Sequence, residues 1–175
     1  MKFVYVFLMV LLLIALAVMS YLFIHFKRIA TIDLMTGLKN RNAYEIKLKQ
    51  LGRKLKNEEA WIVIYDVDSL KALNFRGGHL MGDRAIIAVA DTLKGVFCEK
   101  AYSIFRIGGD EFVVIAVDAS EDELKIKISK TESILEGFSA SKGYARINYG
   151  SENSYSTAFK RADEMLFKEK KEKVK

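Results

Sequence analysis

Two apolar runs around a single Gly-Gly pair constrain the fold of this chain more than any other feature. Residues 102–107 and 112–115 are rich in β-branched and aromatic side chains, with Gly108-Gly109 between them. The pattern predicts a β-hairpin with a two-residue turn, because glycine accepts the positive φ that such turns need. Asp110 and Glu111 follow directly, so the hairpin would hold two carboxylates beside a sheet. Taken alone, it also fits a hairpin with a solvated acidic tip.

The remaining apolar patterns predict an α/β sandwich in which this hairpin is central and helices cover the sheet. The predicted elements are a helix over 41–55, a strand over 61–65, a helix over 69–73, a loop over 74–79, a helix over 83–93, a helix over 121–135, a strand over 138–147 and a helix over 154–173. Either Asn40 or Thr36 is expected to cap the first of these helices.

A long apolar segment precedes these elements. Residues 3–26 contain no Lys, Arg, Asp or Glu, and a helix of that length spans about 36 Å, enough to cross a hydrocarbon core of about 30 Å. A cleaved signal peptide is the competing interpretation, because Ala15-Leu16-Ala17 resembles a cleavage site, but the apolar run continues past it. We therefore predict a membrane anchor over 1–26, a linker over 27–40 and a folded domain over 41–175, with no sensory domain beyond the anchor.

Charge and cysteine content limit the function classes. The net charge is +6, but no stretch interleaves aromatic and basic residues as a nucleic-acid module would, so no nucleic-acid partner is expected. Lys27 and Arg28 follow the apolar segment, which favours a single-pass protein with a cytoplasmic C-terminal domain. Cys98 is the single cysteine, so no disulfide framework is expected. Its apolar neighbours predict a core position.

A second pair of carboxylates, Asp66 and Asp68, ends the strand at 61–65. If this strand lies beside the hairpin, four acids converge, and a divalent cation such as Mg²⁺ would relieve their repulsion together with phosphate oxygens. Lys71, one turn into the next helix, could reach the same phosphates, and the helix N-terminus offers backbone N–H groups. Together these features indicate nucleotidyl or phosphoryl transfer. The alternative is that both aspartates only end a strand and cap a helix.

Six motifs, in order along the chain, resemble those of the GGDEF-domain diguanylate cyclases. They occupy residues 33–41, 66–74, 78–83, 106–112, 141–143 and 162–167. The resemblance implies a palm-like α/β (α+β) fold with a mostly antiparallel sheet flanked by helices, which in this chain follows the transmembrane helix predicted above. It also implies condensation of two GTP molecules into cyclic di-GMP with release of pyrophosphate. Because each domain would hold one GTP, a homodimer is implied. The predicted anchor leads us to expect it at the inner membrane of a bacterium.

The resemblance also assigns roles by position. Each active site would hold two Mg²⁺ or Mn²⁺ ions, and Asp110 would in addition accept the proton of a ribose 3′-hydroxyl. The implied residues are Asp66, the Val67 carbonyl, Asp110 and Glu111 for metal, Lys71 and Lys170 for phosphate, and Asn74 and Asp83 for guanine, with His79 beside them. A carboxylate suits guanine because N1–H and N2–H are adjacent donors. His79 fits equally well as a hydrogen-bond donor that braces its loop.

The chain departs from the family pattern at three places. Phe75 follows the guanine-reading Asn74 where the family has Asp, which could perturb the guanine pocket. Glu99 and Tyr102 stand where the inhibitory product site has Arg and Asp, so product feedback by that route is not expected. A late Gly-Arg pair is replaced by Lys173-Val174. Besides an active cyclase, the sequence therefore leaves open a catalytically silent module that binds GTP or a protein partner, and an anchored interaction domain without a nucleotide site.

Overall fold

The computed structural model describes residues 2–54, 59–135, 137–148 and 154–173. The helices are α1 (Lys2–Thr31), α2 (Arg41–Lys54), α3 (Leu70–Gly77), α4 (His79–Val96), α5 (Glu121–Ile134) and α6 (Ser154–Lys173). The strands are β1 (Lys39–Asn40), β2 (Ala60–Val67), β3 (Tyr102–Arg106), β4 (Glu111–Val117) and β5 (Ala140–Arg146). These elements confirm the predicted order of helices and strands, and Leu55 of the predicted first helix lies outside the described residues.

The strands form one sheet in the order β1-β3-β4-β2-β5. Only β1 and β3 run parallel, and every other neighbouring pair is antiparallel. Side chains of β2 alternate between two buried clusters: Val63 and Tyr65 pack with α4 and α5, while Ile62 and Ile64 pack with α2 and α6. The sheet is therefore buried on both faces, with the hairpin at its centre as predicted, because apolar side chains point to both sides of the strands.

Helix α1 stands apart from this core. In the described part of the chain it is the one helix long and apolar enough to cross a membrane, and none of its apolar window is buried against the domain. Two asparagines hold its C-terminal end, since Asn40 Nδ2 and Asn42 Nδ2 both donate to the Ala30 carbonyl at 3.1 Å. Asn40 Oδ1 also accepts from Ala43 N at 3.2 Å, so Asn40, one of the two predicted caps, caps α2.

The predicted loop over 74–79 is wrong. Helix α3 continues to Gly77 and α4 already begins at His79, so Gly78 alone joins them. Gly78 has φ +71° and its added Cβ would meet nothing, which shows that the requirement is a backbone conformation that favours glycine. Asn74 and Phe75 are therefore helical residues, and His79 is the first residue of a helix.

The predicted two-residue turn at Gly108-Gly109 is also wrong. The last paired residues are Arg106 and Phe112, and neither glycine has a positive φ. Ile107 N and Gly108 N instead donate to the Glu111 carbonyl at 3.0 and 3.4 Å. The connection is therefore a wider loop whose closing bonds converge on Glu111.

Cys98 lies on the surface and not in the core. It follows α4 and Phe97, and the ring of Phe97 is 2% exposed. The apolar neighbours that suggested burial therefore belong to the core, whereas Cys98 points away from it.

Candidate active site

The register between β2 and β4 brings the two predicted acid pairs together. Asp66 lies directly opposite Glu111, and Val67 N donates to the Asp110 carbonyl at 3.1 Å. We call Asp66, Asp110 and Glu111 the acid end of the sheet. The sequence hypothesis required these groups to share one end of the sheet, and the antiparallel pairing places them there.

The acids at this end repel one another. Burial raises the pKa of Asp66, and the nearby carboxylates of Asp110 and Asp68 raise it further, while Lys170 acts in the opposite direction. Burial likewise raises the pKa of Glu111, followed by the charges of Asp66 and Asp110. Among the described residues, one ion pair is found at this end: it joins Lys170 Nζ to Asp66 Oδ1 at 2.5 Å. The acid end thus carries more negative charge than its protein neighbours neutralise.

Asp68 behaves differently although it is only two residues from Asp66. Its Oδ1 accepts from Ser141 Oγ at 2.6 Å, and its Oδ2 accepts from Lys173 Nζ at 2.9 Å. Burial alone would raise the pKa of Asp68, but the hydrogen bonds from Ser141 and Lys173 outweigh it and the pKa is lowered. Asp68 is therefore a satisfied structural carboxylate.

The acid end suits a divalent cation only with help from other ligands. Among the described residues, no three His, Cys, Asp or Glu side chains are gathered closely enough to hold a metal ion by themselves. Mg²⁺, however, commonly binds one or two carboxylates and completes its shell with water and phosphate oxygens. The raised pKa values of Asp66 and Glu111 show the uncompensated charge that such an ion would relieve.

The predicted guanine residues lie on neighbouring helices, Asn74 on α3 and Asp83 on α4. Asn74 Oδ1 is buried and has no hydrogen-bond partner among the described residues. It lies against Gly82, where an added Cβ would clash with that same oxygen, so α4 approaches α3 closely because position 82 is glycine. Asp83 follows on α4 and is half-buried. A buried acceptor without a donor is rare in proteins and marks Asn74 as a candidate functional residue.

Three other residues near this site are exposed. Phe75 is 92% exposed, so its ring does not fill the space beside Asn74. Lys71 and His79 are also exposed, and no hydrogen bond or ion pair found in the described parts of the chain joins either of them to the acid end. The structure thus gathers the acids and Lys170 at one end of the sheet, places Asn74 on α3 and Asp83 on α4, and leaves Lys71 and His79 at the surface.

Comparison with known proteins decides the family. The family described as "Diguanylate cyclase, GGDEF domain" matches residues 30–175. The chain belongs to the GGDEF family. The match includes the acid end, Lys71 and Lys170, and it confirms the resemblance seen in the motifs.

Individual relatives agree with this assignment. The GGDEF chain is 32% identical over 147 residues to the probable diguanylate cyclase DgcJ of Escherichia coli K12, a match that covers 81% of this chain and 29% of that protein. It is also 32% identical over 102 residues to the cyclic di-GMP phosphodiesterase PdeR of the same organism, covering 58% of this chain and 15% of that protein. The chain thus spans less than a third of the length of either relative.

A solved structure has the same fold. The coiled coil and GGDEF domain of DgcB from Caulobacter crescentus, crystallised with cyclic di-GMP, superposes with a TM-score of 0.79 at 22% identity. The match covers 91% of this chain and 92% of that one. It confirms the predicted fold class: a mixed α/β domain whose sheet is flanked by helices.

Sequence reasoning did not assign the α6 residues that surround Lys170 in the GGDEF domain. Glu169 accepts from Lys142 Nζ at 3.1 Å, and Lys173 pairs with Asp68. Lys170 and Lys173 are three residues apart, a spacing that places both on one side of a helix. That spacing could have suggested a joint role, but nothing in the sequence says which acids the two lysines reach.

The Gly-Gly loop is tied to the segment that follows α1. Arg106 donates through one guanidinium nitrogen to Asp33 Oδ1 at 3.0 Å and through the other to the Gly109 carbonyl at 2.7 Å. Asp33 Oδ1 also accepts from the backbone and hydroxyl of Thr36 at 2.9 and 2.7 Å. Asp33 and Arg106 together thus connect the segment that follows α1 with the loop that precedes Asp110.

Asp33→Asn should destabilise the GGDEF domain, and the loss should depend on pH. Burial would raise the pKa of Asp33, but hydrogen bonds from Thr36 and the Arg106 charge outweigh it, so the folded pKa lies below 3.8. A carboxyl group with a lowered pKa in the folded state stabilises the fold at pH values above its unfolded pKa. This stabilisation is lost as the pH falls through the folded pKa. We expect the free energy of unfolding of the variant to be about 2 kcal/mol below that of the wild type at pH 6.5, and this deficit to shrink below about pH 4. Urea unfolding of both proteins measures it, and a deficit that stays constant with pH would contradict the ion pair.

Proposed function

We propose that this GGDEF domain is a membrane-anchored diguanylate cyclase that condenses two GTP molecules into cyclic di-GMP and releases pyrophosphate. The observation that carries the proposal is the pairing of Asp66 with Glu111, which gathers uncompensated carboxylates at one end of the sheet. Carboxylates that outnumber the cationic side chains beside them suit phosphate chemistry with a divalent cation. The relative named as a probable diguanylate cyclase supports the same reaction.

Asp110 and Lys170 have the central roles in the proposed mechanism. A divalent cation, Mg²⁺ or Mn²⁺, when held by Asp66, Asp110, Glu111 and the Val67 carbonyl, would supply charge neutralisation for the phosphate oxygens. Asp110 accepts the proton of the ribose 3′-hydroxyl, because the loop carries its carboxylate beside those of Asp66 and Glu111. Lys170, paired with Asp66 at 2.5 Å, turns to the phosphates when Asp66 is otherwise neutralised. Lys71, exposed on the first turn of α3, reaches the phosphates from the solvent side.

Guanine recognition is assigned to the α3–α4 pair. Asn74 Oδ1 has no donor among the described residues, and guanine presents N–H donors that it can accept. Asp83 lies on the facing helix and accepts the adjacent N1–H and N2–H pair. Adenine offers no such pair, so the arrangement selects GTP over ATP. His79, exposed at the start of α4, lies at the rim of this site.

Two copies are required because each domain holds one GTP and the reaction joins two. Helix α1, anchored through residues 3–26 in the inner membrane of a bacterium, would confine both copies to one plane and raise their local concentration. Lys27 and Arg28 place the domain on the cytoplasmic side by the positive-inside tendency.

Product feedback is not expected at the position where the family pattern has it. Glu99 pairs with Lys127 at 2.7 Å, and the same ammonium lies 5.0 Å from the centre of the Tyr102 ring. The residues that replace the inhibitory Arg and Asp are thus engaged with Lys127. The cyclase should therefore keep its initial rate as cyclic di-GMP accumulates.

A catalytically silent GTP-binding module is the second candidate. Phe75 stands next to Asn74 in place of an acid and is 92% exposed, and one relative of this domain is named a phosphodiesterase. Such a module would bind GTP through Asn74 and Asp83 without turnover.

The deciding experiment uses the full chain in lipid nanodiscs with GTP and Mg²⁺. We expect cyclic di-GMP and pyrophosphate to appear in a 1:2 ratio by chromatography, with no product from ATP. Calorimetry on the same sample separates the candidates. GTP binding without any product from a folded dimer would favour the silent module, and the absence of both binding and product would reject a nucleotide site.

A further inference from the structure

The ammonium group of Lys173 has three partners within the protein, more than a lysine on the surface usually has. Its ammonium donates to Asp68 Oδ2 at 2.9 Å and to the Ala140 carbonyl at 3.0 Å, and it pairs with Glu169 Oε1 at 3.0 Å. A lysine ammonium has three donors, so all of them are used within the protein. Lys173 therefore joins the end of β2, the start of β5 and its own helix.

Lys170, one turn earlier on α6, is held by a single contact. Its ammonium pairs with Asp66 Oδ1 at 2.5 Å, and no other hydrogen bond of this group is found within the described residues. Two of its donors are thus available to a ligand. The two lysines share one helix end, yet one is fixed and the other can exchange its partner.

Asp68, which accepts from Lys173, is itself held by hydrogen bonds to neighbouring residues of the sheet. Asp68 Oδ1 accepts from Ser141 Oγ at 2.6 Å, and Ser141 is fully buried. Asp68 N also donates to the Ser139 carbonyl at 2.9 Å. The carboxylate that receives Lys173 is therefore part of the sheet framework and does not move with α6.

The body of α6 is also seated close to β5. An added Cβ at Gly143 would clash with the Ala162 carbonyl and the Leu166 backbone nitrogen. Beyond Leu166, however, Phe167 and Lys168 are exposed, so apolar packing stops about one turn before Lys170. Polar contacts must hold the last turn in place.

We propose that Lys173 is a positioning residue: its bond to Asp68 fixes the last turn of α6, so that Lys170 stays directed at the acid end. The inference rests on the proposed function in one respect, since Lys170 is taken to bind phosphate there. Asp68 is accordingly the anchor of α6 and not a metal ligand.

The first test needs no nucleotide. Hydrogen exchange of the backbone amides of 169–173 is compared in the full chain in nanodiscs for the wild type, Lys173→Met, Lys173→Arg and Lys168→Met. We expect exchange about tenfold faster in Lys173→Met, little change in Lys173→Arg, and none in Lys168→Met, the matched control from an exposed site on the same helix. Exchange in Lys173→Met at the wild-type rate would overturn the proposal.

The second test measures coupling between the two lysines. Calorimetry with Mg²⁺ and 3′-deoxy-GTP, which lacks the attacking hydroxyl, gives a binding constant without turnover. Lys173→Met should weaken binding about tenfold in the wild-type background but less than about twofold in the Lys170→Met background, because the effects of coupled residues are not additive. The same factor in both backgrounds would mean that Lys173 does not act through Lys170 and would reject the proposal. If the wild type does not bind at all, the proposed function fails, and the exchange experiment still decides whether the brace exists.

Discussion

Asp110→Asn should lower the formation of cyclic di-GMP at least about a thousandfold, the largest effect on activity that we expect from one substitution. The asparagine keeps the backbone carbonyl that accepts from Val67 N, so the loop should retain its course. It removes the proposed acceptor of the ribose proton and one negative charge from the acid end. Because the Asp110 charge contributes to the raised pKa values of Asp66 and Glu111, its removal should lower both.

The same substitution should leave the melting temperature unchanged or higher, because a mutual repulsion is relieved and no buried bond is lost. Activity by quantitative chromatography and unfolding by calorimetry are measured on one preparation. Asp122→Asn is the matched control: it removes an equal charge from the first turn of α5 and should leave activity within about twofold of the wild type. An Asp110→Asn protein that is folded and retains more than a tenth of wild-type activity would exclude Asp110 as the proton acceptor.

Gly143→Ala should be the most destabilising single-methyl change in the described domain, by about 3 kcal/mol. The added Cβ would meet backbone atoms of Ala162 and Leu166 on α6, and backbone cannot rotate away as the end of a side chain can. The helix must then shift off β5, and Lys170 and Lys173 move with it. We expect the melting temperature to fall by about 6–12 °C, and activity to fall as well because the contacts at Asp66 and Asp68 lengthen.

Gly95→Ala provides the matched control for this prediction. Gly95 lies inside α4, and an added Cβ there meets nothing within 4 Å, so the substitution should raise stability by about 0.5–1 kcal/mol through helix propensity. Thermal unfolding followed by circular dichroism measures both variants. If Gly143→Ala melts within about 2 °C of the wild type, α6 is not seated as described.

The sequence predicted the central hairpin, because alternation and β-branching at 102–115 are local properties of the chain. It failed between Asn74 and His79, where Gly77 and Gly78 suggested a loop. In the fold α3 stays helical to Gly77, and Gly78 alone makes the connection to α4 through its positive φ. It also failed at Cys98, because an apolar neighbourhood in sequence does not say which side of the chain faces the core.

The sequence predicted the individual residues of the candidate site but not how they lie relative to one another. The positions of Asp66, Asp110 and Glu111 follow from strand ends, but their proximity depends on a register that joins residues distant in sequence, Asp66 and Glu111. The different environments of Asp66 and Asp68 were not predictable, since the residues that distinguish them, Ser141 and Lys173, come from β5 and α6.

The amino-acid sequence alone determined the family, the order of elements, the apolar helix and the residue types that the chemistry needs. Each of these follows from patterns of side chains that are close together in the sequence. Only the tertiary structure decided which carboxylates remain uncompensated. It also decided that Lys173 has three partners whereas Lys170 has one, and it left the Asn74 side-chain oxygen buried without a donor among the described residues. Charge and hydrogen-bond balance depend on neighbours brought together from distant segments, and no local pattern records those neighbours.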